Sequence, residues 1–200
     1  MLEYELTSEA EDVIRNDITE RLNSGEVGII PTDTVYGLVC ASGDETAKER
    51  IYELKDRPSD QPLQYLLSNV DQAKQLNIEV TPNLRKIADA FWPGALTVVI
   101  QDTEGVYQGI RIPKHGFIIT LIEKLNRPLV ATSANRHGVE PSESLDQSFM
   151  DLNGDPDFLV MEGDNKAPSS AVIKISSNDE VELIREGLIT KETVEQIISA

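Results

Sequence analysis

Two hydrophobic periods take turns along this chain, and their order restricts the fold more than any single motif. Short apolar runs rich in β-branched residues read as strands at 27–30, 63–67, 96–100, 109–113, 128–131, 158–161, 171–175 and 181–184. The first is broken by Pro31-Thr32-Asp33-Thr34 and resumes as an extended run over 35–40. Between them lie segments with helical spacing. Ser8-Glu9-Ala10-Glu11 fits a capping box ahead of Val13, Ile14, Ile18 and Leu22. Asp44 and Thr81-Pro82 start two more helices. Others are expected over about 116–125 and 145–152, and a last one is capped by Thr190 with Ile189 and Val194 as a hydrophobic staple. A strict βαβ alternation would give a doubly wound parallel sheet. Here strands also follow one another directly, near 96–112 and 158–185, so the expectation is a mixed α/β sheet of about eight strands with six helices on its faces.

The length of 200 residues suits a single domain spanning 1–200. No linker, repeat or low-complexity stretch interrupts it, and no apolar run approaches the roughly 18 residues of a membrane span. Met1 to Glu5 lack a basic region and an apolar core, so no signal peptide is expected and the expected location is cytoplasmic. The one cysteine, Cys40, excludes an internal disulfide and a cysteine-built zinc site, and its apolar neighbours make it a small buried hydrophobe. Eighteen Lys and Arg against thirty-five Asp and Glu leave a net charge of −17. Such a chain repels nucleic acid at long range, so any direct binding of RNA is expected to be weak. In so acidic a chain, cations that gather beside Ser and Thr loops carry more information than usual.

No Walker A loop, G-x-G-x-x-G, H-E-x-x-H or G-x-S-x-G occurs, and His115 and His137 lie in polar, loop-like sequence. Neither a covalent nucleophile nor a metal held by the protein is expected. Four polar segments stand at strand ends, where open α/β sheets collect ligands: Pro31 to Leu38, Lys55-Asp56-Arg57-Pro58 with Pro62, Thr132 to Asn135, and Pro168-Ser169-Ser170 with the later Arg185-Glu186-Gly187. Prolines 58 and 62 stiffen a loop that could hold two cations against phosphate. Arg111 alternates with Ile110 and Ile112, which lets it face a cavity while they face the core.

At these residues the chain resembles the YrdC-like family, the threonylcarbamoyl-AMP synthases, and specifically its short form. Five motifs match in order: P-T-D-T-V-Y-G-L at 31–38, K-x-R-P-x-x-x-P-L at 55–63, W-P-G-A-L-T at 92–97, R-x-P at 111–113 and S-A-N at 133–135. Fainter matches at 168–170 and 184–187 extend the likeness over about residues 10–190. The resemblance implies a twisted mixed α/β sheet with flanking helices around a concave cavity. It implies an ATP-dependent nucleotidyltransferase that joins L-threonine, bicarbonate and ATP into threonylcarbamoyl-AMP with release of pyrophosphate. The product serves threonylcarbamoyladenosine formation at position 37 of tRNA, together with partner proteins of tRNA modification.

Carried over by position, Lys55, Arg57, Gln61, Asn135, Ser142 and Arg185 would bind ATP, and Thr34, Arg111, Ser133 and Ser169 would bind threonine. Magnesium would arrive with ATP, held by phosphates and water. Threonine's amine would take up bicarbonate as a carbamate, whose oxygen would attack the α-phosphate, so that catalysis is alignment and charge neutralisation. Removing Lys55, Arg57 or Arg111 is then expected to affect ligands and leave the fold nearly as stable. The alternative implied by the same likeness is a YciO-like paralogue that binds nucleotide or double-stranded RNA without synthase activity.

Overall fold

A computed structural model of the chain describes residues 1–139, 152–163, 168–178 and 180–199. Among the described residues ten strands share one sheet: β1 (Leu2–Glu5), β2 (Gly28–Ile30), β3 (Gly37–Ala41), β4 (Gln64–Leu66), β5 (Leu96–Gln101), β6 (Tyr107–Arg111), β7 (Leu129–Ser133), β8 (Phe158–Met161), β9 (Ala171–Ile175) and β10 (Val181–Arg185). Their spatial order is β1-β8-β2-β3-β7-β4-β6-β5-β9-β10. The pairs β1–β8, β2–β8, β4–β6 and β5–β9 are parallel and the rest antiparallel, so the sheet is mixed, as expected. The helices are α1 (Glu11–Asn23), α2 (Glu45–Lys55), α3 (Pro82–Phe91), α4 (Gly116–Leu125) and α5 (Lys191–Ser199), with a 3-10 helix at Val70–Leu76.

Local chemistry explains most helix starts. The Asp44 side chain accepts from the Ala47 amide at 2.9 Å, Thr81 from Leu84 at 3.2 Å and Thr190 from Thr193 at 3.3 Å. The capping box at Ser8 does not form. A turn in which the Ala10 amide donates to the Thr7 carbonyl delivers the chain to α1 later, and Ala10 is the N-cap with no side-chain bond. Arg15 instead ties down the first turn through Glu11 and Asp12, each at 2.6 Å. Two elements go beyond the sequence expectation. Strand β1 is mostly exposed and shows no alternation, and only its parallel pairing with β8 makes it a strand. The 3-10 helix is capped by Asn69. The strand expected at 109–113 is displaced to Tyr107–Arg111. The helix expected over 145–152 lies outside the described residues except for Leu152.

The helices cover three of the sheet's four half-faces. On one face, α1 and α4 pack on Ile30, Val39, Leu66, Leu129 and Ala131. Behind them, α2 packs on Ile29, Leu38, Cys40 and Val130. Further along that back face, α3 and α5 pack on Val98, Ile110, Ile173 and Val181. Residues alternating with this last set, such as Thr97, Val99, Gly109, Arg111 and Val172, therefore point to the front of the sheet beyond α1 and α4. No helix among the described residues covers that quarter, and the candidate site forms there. Cys40 is fully buried, and burial pushes its thiol up to about 12.

Close packing fixes one strand pair. A Cβ on Gly28 would lie 2.1 Å from the Phe158 ring across the β2–β8 pairing. Gly28→Ala is therefore an overpacking change, expected to destabilise by about 1–3 kcal/mol and to lower the thermal midpoint by roughly 2–12 °C. A differential scanning calorimetry trace coincident with wild type would contradict this contact. No helix among the described residues is long and apolar enough to cross a membrane.

Candidate active site

The uncovered quarter of the sheet holds a cavity of about 410 Å³. Its floor is Gln64, Thr97, Val99, Gly109 and Val172 from β4, β5, β6 and β9. One wall is the loop from Arg57 to Leu63, another the end of β7 at Ala131–Ser133, and a third Ser169, Ser170, Ile184 and Arg185. Thr34 and Val35 close the side where the first strand is broken.

Arg111 is the deepest cation, 2% exposed. It ends β6 on the bare face, between core-facing Ile110 and Ile112. Its Nε donates to the Gly94 carbonyl at 2.9 Å, Nη1 to Thr34 Oγ1 at 3.0 Å and Nη2 to Asp33 at 2.6 Å. Burial lowers its pKa and Asp33 opposes the shift, so the guanidinium stays charged. Thr34 is itself held by Thr32, whose Oγ1 accepts from the Thr34 amide at 3.0 Å. One N–H each on Nη1 and Nη2 remains for a ligand.

Arg185 lies opposite. Its Nε donates to the Ser170 carbonyl at 3.0 Å and Nη2 to Ser170 Oγ at 3.2 Å. Burial, then repulsion from Arg111, lowers its pKa. Arg57 is the third cation, half-buried and lowered by burial. The stiff loop it belongs to folds back so that Nη2 donates to the Pro62 carbonyl at 3.1 Å. Nη1 has no acceptor among the described residues. Three guanidiniums thus converge on one cavity, and among the described residues only Arg111 of the three pairs with a carboxylate, that of Asp33. The cavity gathers positive charge within a chain of net charge −17.

Seven residues singled out from the sequence line this cavity together: Thr34, Arg57, Gln61, Arg111, Ser133, Ser169 and Arg185. Two others do not. Lys55 is 1% exposed, and its ammonium donates to the carbonyls of Ser133 and Asn135, each at 2.5 Å. It ties the end of α2 to the exit of β7 beneath the cavity wall. Burial, with repulsion from Arg57, lowers its pKa to about 7. Asn135 turns its Nδ2 to the carbonyls of Arg136 and Val139 and shapes the same loop, while its buried Oδ1 has no partner among the described residues. Ser142 lies outside the described residues. Asp33, Gln64, Thr97 and Ser170 belong to the site and were not singled out. Asp33, Thr97 and Ser170 sit within the quoted motifs, whereas Gln64 falls one residue after Leu63 and carried no signal of its own. Among the described residues no three His, Cys, Asp or Glu side chains are placed to hold a metal ion.

The profile of the Sua5/YciO/YrdC family, described as "Telomere recombination", matches residues 20–187. The chain belongs to this family. It is 32% identical over 187 residues to the threonylcarbamoyl-AMP synthase of Pyrococcus abyssi, a match covering 88% of this chain and 55% of that protein. The Bacillus subtilis threonylcarbamoyl-AMP synthase is likewise 32% identical over 187 residues, covering 88% of this chain and 54% of its own length. The chain thus spans about half the length of these relatives. Among solved structures, P. abyssi Sua5 complexed with L-threonine superposes with a TM-score of 0.86 at 30% identity, covering 98% of this chain and 60% of that one. Escherichia coli YciO superposes at 0.82 with 21% identity, covering 96% and 98%, which is a likeness of fold alone. The sheet with flanking helices is the fold of the family.

Proposed function

We propose that this cavity combines L-threonine, bicarbonate and ATP into threonylcarbamoyl-AMP and pyrophosphate. The observation that carries the reading is the convergence of three guanidiniums and several hydroxyls on the bare quarter of the sheet, in a member of the Sua5/YciO/YrdC family. Its resemblance to a Sua5 complexed with L-threonine supports the amino-acid half.

In this reading Arg111 offers its two remaining N–H groups to the threonine carboxylate as a planar fork, held in aim by Asp33, Thr34 and Gly94. Thr34, Ser133 and Ser169 supply hydroxyls around the same substrate. The amine is left free to condense with bicarbonate, forming the C–N bond as a C–O bond breaks and water leaves, and an oxygen of the resulting carbamate then displaces pyrophosphate from the α-phosphate. Arg57 and Arg185 neutralise the charge that develops on the phosphates, and Gln61 lies beside the nucleotide. Lys55 and Asn135 support that wall from below, and Ser142 belongs to the nucleotide side by family resemblance. Magnesium enters as part of the nucleotide substrate, because the cavity's own donors are guanidiniums, hydroxyls and amides and not a cation cage. The product would pass to proteins that modify tRNA in the cytoplasm. The paralogue reading, nucleotide or RNA binding without synthesis, has only the fold-level likeness to YciO behind it.

The test is to incubate the protein with ATP, labelled bicarbonate and L-threonine and to measure pyrophosphate and labelled threonylcarbamoyl-AMP. Absence of both products overturns the reading. Arg57→Ala removes a charged contact worth about 1.5–3 kcal/mol, so ATP affinity should fall roughly 10- to 100-fold by calorimetric titration. Wild-type affinity in that variant would remove Arg57 from the phosphate site.

A further inference from the structure

A chain of hydrogen bonds crosses the cavity floor and has a direction. It starts at Arg185, whose Nη2 is 3.2 Å from Ser170 Oγ. A guanidinium only donates, so Ser170 accepts there. Ser170 is 2% exposed, and among the described residues the acceptor for its own proton is Thr97 Oγ1 at 2.9 Å. Thr97 then donates to Gln64 Oε1, also at 2.9 Å. Reversing the Gln64 amide would turn Nε2 toward Thr97, so that either the Thr97 or the Ser170 hydroxyl proton would lack an acceptor among the described residues. The network therefore fixes the amide orientation. Gly109 makes the crossing feasible. It stands on the strand between Gln64 and Thr97, and a Cβ there would already touch both at 3.5 Å. Gln64 lines the cavity, and among the described residues its Nε2 has no acceptor.

We propose that Gln64 is a specificity-determining residue whose amide N–H groups bind a trigonal oxyanion in the cavity. The proposal rests on the reading above and deepens it: Gln64 meets either the amino-acid carboxylate or the carbonate-type oxygens of bicarbonate. Arg185, from the opposite wall, locks the amide so that it presents donors only. A primary amide contributes no charge, so it adds directional selection for oxygen acceptors to the attraction supplied by the arginines.

The experiment compares wild type with Q64E and Q64M. In Q64E the new carboxylate still accepts from Thr97, so the floor is kept while two donors become a negative acceptor. In Q64M the volume is kept and the donors are lost. L-Threonine is titrated by calorimetry and ¹³C-bicarbonate is followed by NMR line broadening, with ATP titrated as a control. The expected result is at least tenfold weaker binding by both variants in one of the two arms, with ATP affinity within twofold of wild type. The arm that weakens names the oxyanion. If both variants bind both oxyanions as wild type does, the proposal falls and the functional reading stands. If wild type binds neither, the proposal and the amino-acid half of that reading fall together. Should Q64E fail to fold, Q64M alone carries the same outcomes.

Discussion

Arg111→Ala should melt well below wild type and bind no measurable L-threonine. The side chains of Arg111 and Asp33 are 3% and 11% exposed and paired at 2.6 Å. Truncating one partner of a buried pair strands the other charge and destabilises by about 3–5 kcal/mol. For a chain of this size that is roughly 6–20 °C in the thermal midpoint. The sequence suggested a cation held for its ligand alone, whose loss would leave the fold intact. The structure corrects this, because the guanidinium also satisfies Gly94, Thr34 and Asp33. The double variant Asp33→Ala/Arg111→Ala should recover part of the stability and none of the threonine binding. A single variant as stable as wild type, or a double variant no better than the single, would show that the pair does not couple.

Lys55→Met should destabilise at neutral pH and also change how stability varies with pH. The two carbonyls it holds would lose their donor, at about 1–3 kcal/mol each, partly offset by removing a charge from a dry site. Burial lowers the folded-state pKa to about 7, against 10.5 for the free side chain. Between those values the unfolded chain binds the extra proton. The Lys55 contribution therefore raises stability as pH climbs from about 7 toward 10.5, and is unchanging below that window. Urea unfolding of both proteins at pH 6.5, 8 and 9.5 checks the sign. The wild-type-minus-variant difference should grow with pH. A flat difference would mean that Lys55 keeps an ordinary pKa in the fold.

These two lysine and arginine roles mark where sequence reading stops. Asp44, Thr81 and Thr190 were legible as caps because each acts on an amide three residues away. The outward aim of Arg111 was legible because strand alternation is local. The partner of Lys55 lies 78 residues away on β7, and nothing near Lys55 distinguishes a cation that meets a phosphate from one that meets a carbonyl. Strand β1 was invisible for the same reason, since its partner β8 follows more than 150 residues later. Gln64 reads as an ordinary strand residue until Thr97, 33 positions on, is seen to donate to it. The failed cap at Ser8 is the exception, because the turn from Thr7 to Ala10 that displaces it is itself local.

The strand order also dictates a schedule. Strands β3, β7, β4, β6 and β5 are contiguous in space and complete once residue 133 has been made. The two flanks wait: β2 meets β8 only after residue 161, and β5 meets β9 only after residue 175. A chain emerging from the ribosome can therefore assemble the centre of the sheet while both of its sides remain open edges, a condition that invites pairing with other chains. The Arg185 wall of the cavity arrives last of its walls, so the three arginines come together only when the sheet's far edge has closed.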